Sequence, residues 1–123
     1  MDIEDFSIEV NKYQPYIYAG ASLDFNAIHI DDDFAKKVGL GGIILQGLCT
    51  MAYVYRAVMD NKDPSRLKKL KVRFSRPVKP LDKLTIKGKI SSEENNLATI
   101  DLVAENQKGE QVITDAVAVV ESS

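Results

Sequence analysis

One cysteine, one histidine and no tryptophan occur in the 123 residues. Cys49 alone excludes an intramolecular disulfide and cannot by itself build a metal site. Four prolines and seven glycines are too few for a collagen-like or linker chain. No apolar run approaches the length needed to cross a bilayer, which excludes a transmembrane helix. Charge of one sign is also missing: sixteen Lys+Arg against eighteen Asp+Glu leave −2. Such a chain has no global attraction to phosphate backbones or anionic lipid, so nucleic-acid and membrane partners are not expected. The start is acidic (Asp2, Glu4, Asp5) and lacks the basic segment of a secretory signal. A reducing, cytoplasmic address is the resulting expectation.

A hydrophobic share of 45% beside 28% charged residues is enough for a packed core and argues against disorder. The length predicts one domain over residues 1–123, with no repeat and no linker. Phe6, Ile8 and Val10 alternate with polar neighbours, as in a half-buried strand. Residues 14–21 start with a proline placed for a first helical turn, although Tyr16, Ile17 and Tyr18 also fit a strand. Residues 22–33 are polar and without period. Asp33 is positioned to cap a short helix over 34–38 that Gly39 closes.

Residues 47–59 carry one charge, Arg56, and apolar side chains on nearly every face. This predicts a helix about 20 Å long, buried on most sides and ended by Asp60, Asn61, Asp63 and Pro64. Everything beyond alternates: Leu70–Phe74, Leu84–Ile90, Ala98–Ala104 and Val112–Val120. Polar turns at 91–96 and 106–110 separate the last three, with Gly109 suited to positive φ. Four strands in meander order are expected. An apolar helix followed by strands implies an α+β domain, a curved antiparallel sheet wrapped about a long central helix.

Two places carry chemistry. Asp24 and His29 stand five residues apart with Asn26 between them. A carboxylate and an imidazole that close can bracket one water for general acid–base work, or can simply tie down a polar loop. Gly47 opens the apolar helix, where unpaired N–H groups at the positive dipole end can hold a developing oxyanion. Gly41, Gly42 and Gly47 also serve a loop that must turn and a helix that must pack closely. Among the other candidates, Cys49 reads as a packed core thiol and Tyr53 and Tyr55 as core or channel residues. Asp31, Asp32 and Asp33 lack the alternating spacing of a calcium loop and suit capping. The basic set Lys68, Lys69, Lys71, Arg73 and Arg76 is either a solvated strand face or a phosphate contact.

Taken together, Asp24-x-Asn26-x-x-His29, Asp31, Phe34-Ala35, Gly39 and Ile44-Leu45-Gln46-Gly47-Leu48-Cys49-Thr50 resemble the hydratase motif of the MaoC-like (R)-specific enoyl-CoA hydratases. Val72-Arg73-Phe74-Ser75-Arg76-Pro77-Val78 resembles the strand that follows the central helix in that family. The chain departs from the pattern at Leu23 and Leu81, where the family has Gly. It departs also at Ala27, where the family has Pro, and at Gln46, where it has His. The resemblance implies a hot-dog fold and reversible hydration of trans-2-enoyl thioesters to (3R)-3-hydroxyacyl thioesters, on coenzyme A or an acyl carrier. It implies Asp24, His29 and Gly47 as catalytic residues, Asn26 and Gln46 as substrate-binding, no cofactor or metal, and a homodimer or larger homo-oligomer. A non-catalytic subunit shaping a partner's acyl pocket would need neither Asp24 nor His29, and both are present. A thioesterase of this fold usually carries its carboxylate on the central helix, where residues 48–59 have no Asp or Glu.

Overall fold

The computed structural model describes residues 3–60 and 62–121. Strand β1 (Phe6–Glu9) is followed by helices α1 (Gln14–Ser22), α2 (Ala27–Ile30), α3 (Asp32–Lys37) and α4 (Gly47–Met59). A 3₁₀ turn (Pro64–Arg66) leads into β2 (Leu67–Phe74), β3 (Lys83–Glu94), β4 (Leu97–Glu105) and β5 (Gln111–Glu121). The five strands form one antiparallel sheet in the order β1-β3-β4-β5-β2. Helix α4 packs on it through Val54, Ala57, Val58 and Met59, against Leu84, Ile86, Ile100, Ile113 and Val120. This is the α+β hot-dog arrangement, a long helix held in an antiparallel sheet.

The expected helix over 47–59 forms with those bounds, and Asp60 in the left-handed region ends it. Asn61 lies outside the described residues. The helix is not covered all round, however. Leu48, Ala52 and Arg56 form an exposed stripe four residues apart, because the sheet covers only one side. The ambiguous stretch after Pro15 is helical as α1.

Three expectations need correction. Asp31, not Asp33, caps α3, its carboxylate accepting from Phe34 N at 3.1 Å. The turn placed at 91–96 shrinks to Asn95 and Asn96, both at positive φ, since β3 runs on to Glu94. That tip is exposed on both faces, so apolar alternation is no longer required there and the pattern fades before the strand ends. Finally, β2 does not join β3 in a meander. It pairs with β5 at the far edge, and residues 75–82 cross back. The crossing segment is secured to other parts of the chain: Leu45 N donates to Val78 O, Leu81 N to Val10 O, and Val10 N to Asp82 O.

Leu81 sits in this crossing at φ 71° and is more than half exposed. A Cβ is costly in that region and the side chain gains little burial. Leu81→Gly should therefore raise stability by about 0.5–1 kcal/mol, the left-handed penalty less the added unfolded-state entropy. A shifted urea midpoint at constant slope would register it.

Candidate active site

Helix α1 ends at Leu23, left-handed at φ 63°. A chain of side-chain caps then steers the backbone toward His29. Ser22 Oγ accepts from Asp24 N at 3.2 Å, Asp24 Oδ1 from Asn26 N at 3.3 Å, and Asn26 Oδ1 from Ile28 N at 3.2 Å. The last of these caps α2, a four-residue helix with no periodicity to betray it in the sequence. One turn of helix is enough to turn His29 inward.

His29 is buried, and its Nδ1 lies 2.8 Å from Ile44 O. A carbonyl oxygen only accepts, so Nδ1 carries the proton and donates it. In the neutral ring the Nε2 lone pair is left over, and it faces Asp24 Oδ2 at 3.9 Å. The Asp24 side chain is half exposed, whereas the His29 side chain is nine-tenths covered. The loop therefore sets a carboxylate at the solvent edge of a buried imidazole.

The segment 43–46 leads to Gly47 and is tied down residue by residue. Ile43 N donates to Asp32 Oδ1 at 3.0 Å, Ile44 N to Ile28 O at 3.0 Å, and Leu45 N to Val78 O at 2.7 Å. Gln46 is buried and donates from Nε2 to Pro15 O at 2.9 Å. Gly47 then takes the first helical position of α4, where the N–H has no acceptor within the helix. A Cβ on Gly47 would stand 3.2 Å from the Phe74 ring, so a larger residue would displace that ring.

His29 and Gly47 line one open cavity of about 350 Å³, together with Thr50, Phe74, Arg76 and Val78. Asp24 reaches it through His29 and does not line it. Asn26 and Gln46, expected as substrate contacts, do not line it either. Their side chains are engaged by Ile28 N and Pro15 O, and they hold the loop and α1 in place. Thr50 and Phe74 are lining residues for which the sequence carried no separate signal.

The remaining candidates separate by geometry. Burial pushes the Cys49 thiol up and the Tyr53 phenol up to about 12, so both stay protonated at neutral pH. Tyr55 lines a different cavity, with Phe6 and Met59. Lys68 and Arg73 pair with Glu121 and Asp115 across β2 and β5, and Arg76 pairs with Glu110 just beyond the two strands, which is the solvated-face reading. Only Arg76 of the basic set also reaches the cavity.

Comparison with known proteins agrees with this architecture. The MaoC like domain family matches residues 4–112. The chain belongs to that family. A probable enoyl-CoA hydratase 2 of Dictyostelium discoideum is 37% identical over 113 residues, 88% of this chain and 37% of the relative. Among solved structures, the (R)-hydratase from A. caviae superposes with TM-score 0.83 at 21% identity, over all of this chain and 97% of that one. The full-length peroxisomal multifunctional enzyme type 2 from Drosophila melanogaster gives TM-score 0.83 at 28% identity, over 98% of this chain and 22% of that one. The MaoC-like chain thus spans little more than a third of the length of the Dictyostelium relative.

Asp32 offers a pH test of the segment that presents Gly47. Its carboxyl lies below the usual 3.8, chiefly because Ile43 N–H donates to it and secondarily through Lys36. A lowered folded value means folding favours the ionised form. The contribution is complete above pH 3.8 and fades as pH falls through the lowered value. Asp32→Asn should flatten that part of the acid unfolding curve, as followed by circular dichroism.

Proposed function

We propose that this chain hydrates trans-2-enoyl thioesters, carried on coenzyme A or an acyl carrier, to (3R)-3-hydroxyacyl thioesters, and reverses the reaction. One observation carries the reading. With the Nδ1 proton committed to Ile44 O, Asp24 Oδ2 and His29 Nε2 are two acceptors 3.9 Å apart. A molecule with two hydrogens satisfies both. A water at ordinary hydrogen-bond length from each would subtend an angle of about 90°, close to its own geometry. The family membership and the (R)-hydratase fold neighbour support the same chemistry.

The placement supports the following course. Water is a poor nucleophile at neutral pH, so one member of the Asp24–His29 pair takes a proton as the water oxygen bonds the β carbon. The π electrons move toward the α carbon and the thioester oxygen, where negative charge develops. The Gly47 N–H and the α4 dipole stabilise that charge at the cavity wall. A proton from the same pair then reaches the α carbon on the same face, and both groups recover their starting states. Both members face the same water, so neither is assigned the base alone. Asn26 and Gln46 position this machinery, and Arg76 at the rim is the basic group placed to meet an anionic carrier.

The sheet carries an argument about assembly. Edge strand β2 is eight residues long and pairs on one side only, with β5. An unpaired strand of that length is a template for a second strand. We infer a homodimer in which two copies continue one sheet across a two-fold axis. As for location, no helix among the described residues is long and apolar enough to cross a membrane, and a buried free thiol at Cys49 suits a reducing compartment such as the cytoplasm.

Asp24→Asn and His29→Ala should each lower hydration of a crotonyl thioester by about 10²–10⁴-fold, read as loss of the conjugated enoyl absorbance. The double variant should fall little further, because the two act as one unit. A folded single variant with near-native turnover removes that residue from the assignment. Light scattering at micromolar concentration should give at least twice the 13.7 kDa chain mass. A monomer there would sink the assembly.

A further inference from the structure

Among the described residues three polar ones are buried: His29, Gln46 and Thr50. His29 has a carbonyl partner in Ile44, and Gln46 donates from Nε2 to Pro15 O while its Oε1 is buried without a partner. Thr50 is 97% covered, lines the cavity with His29 and Gly47, and its hydroxyl has no hydrogen-bond partner among the described residues. A helical threonine ordinarily returns its hydroxyl to the carbonyl four residues back. Here that carbonyl is Gln46 O, which already accepts from Cys49 N at 3.0 Å and from Thr50 N at 3.2 Å. Both of its lone pairs are engaged, so the usual acceptor is closed to the hydroxyl.

Direction decides where such a hydroxyl is of use. Side chains of an α-helix lean toward its N-terminus, and residues three apart share a face. Thr50 therefore leans back toward Gly47, which has no side chain to fill that space. A hydroxyl proton and a backbone N–H then border one stretch of cavity wall at the positive end of the thirteen-residue α4. Val78 gives that cavity an apolar side, and the Thr50 hydroxyl stands at its wall as a donor open to a ligand.

We infer that Thr50 is a further catalytic residue: its hydroxyl is the second donor, beside the Gly47 N–H, to the thioester oxygen that becomes negative during hydration. The substrate class is thus one with a carbonyl oxygen at the start of α4 and its reacting carbons toward His29. This rests on the hydratase reading above.

Thr50→Val keeps the shape and removes the donor, while Thr50→Ser keeps the donor. Thr50→Val should lower kcat on a crotonyl thioester by about 10²-fold with KM little changed, as for loss of one oxyanion donor. Thr50→Ser should recover most of that loss. A separate readout needs no turnover. The acetoacetyl thioester ionises to an enolate bearing charge on the same oxygen, so enolate absorbance at fixed pH should rise on binding to the unaltered protein. It should rise much less with Thr50→Val. Near-native kcat and an undiminished enolate signal in folded Thr50→Val would overturn the inference. An enolate signal that depends on Thr50 in a protein that hydrates nothing would instead overturn the hydratase reading and leave the donor in place. No enolate signal and no hydration from the unaltered protein would overturn both.

Discussion

Four consecutive residues without regular secondary structure hold this domain's chemistry together. Ile43, Ile44, Leu45 and Gln46 each bond to a different part of the chain: α3, α2, the β2–β3 crossing and α1. Ile44 is bound twice, giving its N–H to Ile28 and taking the His29 ring proton on its carbonyl. Buried backbone groups outside a helix or sheet are costly when unpaired, and this segment pairs them by recruiting everything around it. The result is a fixed relation between the imidazole and the first N–H of α4. A loop and a helix start that are distant in local terms become one rigid unit.

The core reflects the same economy. Sheet and helix meet through aliphatic residues, and the buried polar side chains collect around the start of α4. Polar groups are tolerated in a small interior where each has a use. Gln46 shows how such a use departs from expectation. A polar residue beside a helix-start glycine reads as a pocket group, yet its side chain turns away and braces α1. The brace still serves the site, because its backbone is the N-cap of α4.

Much of this was legible beforehand, for physical reasons that differ by element. The bounds of α4 were readable because a long apolar run meets Gly47 at one end and Asp60 at the other. Strands β4 and β5 were readable because their alternation spans the core and Gly109, at φ 75°, turns between them. Asp24 and His29 stood out by residue type and spacing, and family resemblance supplied their pairing. Helix α2 was hidden, since four residues are too few for a period and Asn26 reads equally as loop. The partner of β2 was hidden because strand order is set by long-range pairing, and a proline-rich link fits a hairpin or a crossing alike. Asp31 and Asp33 could not be ranked as caps without backbone angles. Phe74 and Thr50 acquire meaning only when the fold brings them beside Gly47.

The bond from His29 to Ile44 has one more consequence. It is the only imidazole in the chain, and one of its two nitrogens is occupied by a carbonyl that can do nothing but accept. Proton exchange on that ring is confined to Nε2, the nitrogen turned toward Asp24. The nuclear magnetic resonance signals of a single histidine therefore report this one atom's neighbourhood, with no assignment needed. A tautomer that is mobile in solution is here a fixed structural parameter, set by the backbone of a residue fifteen positions away.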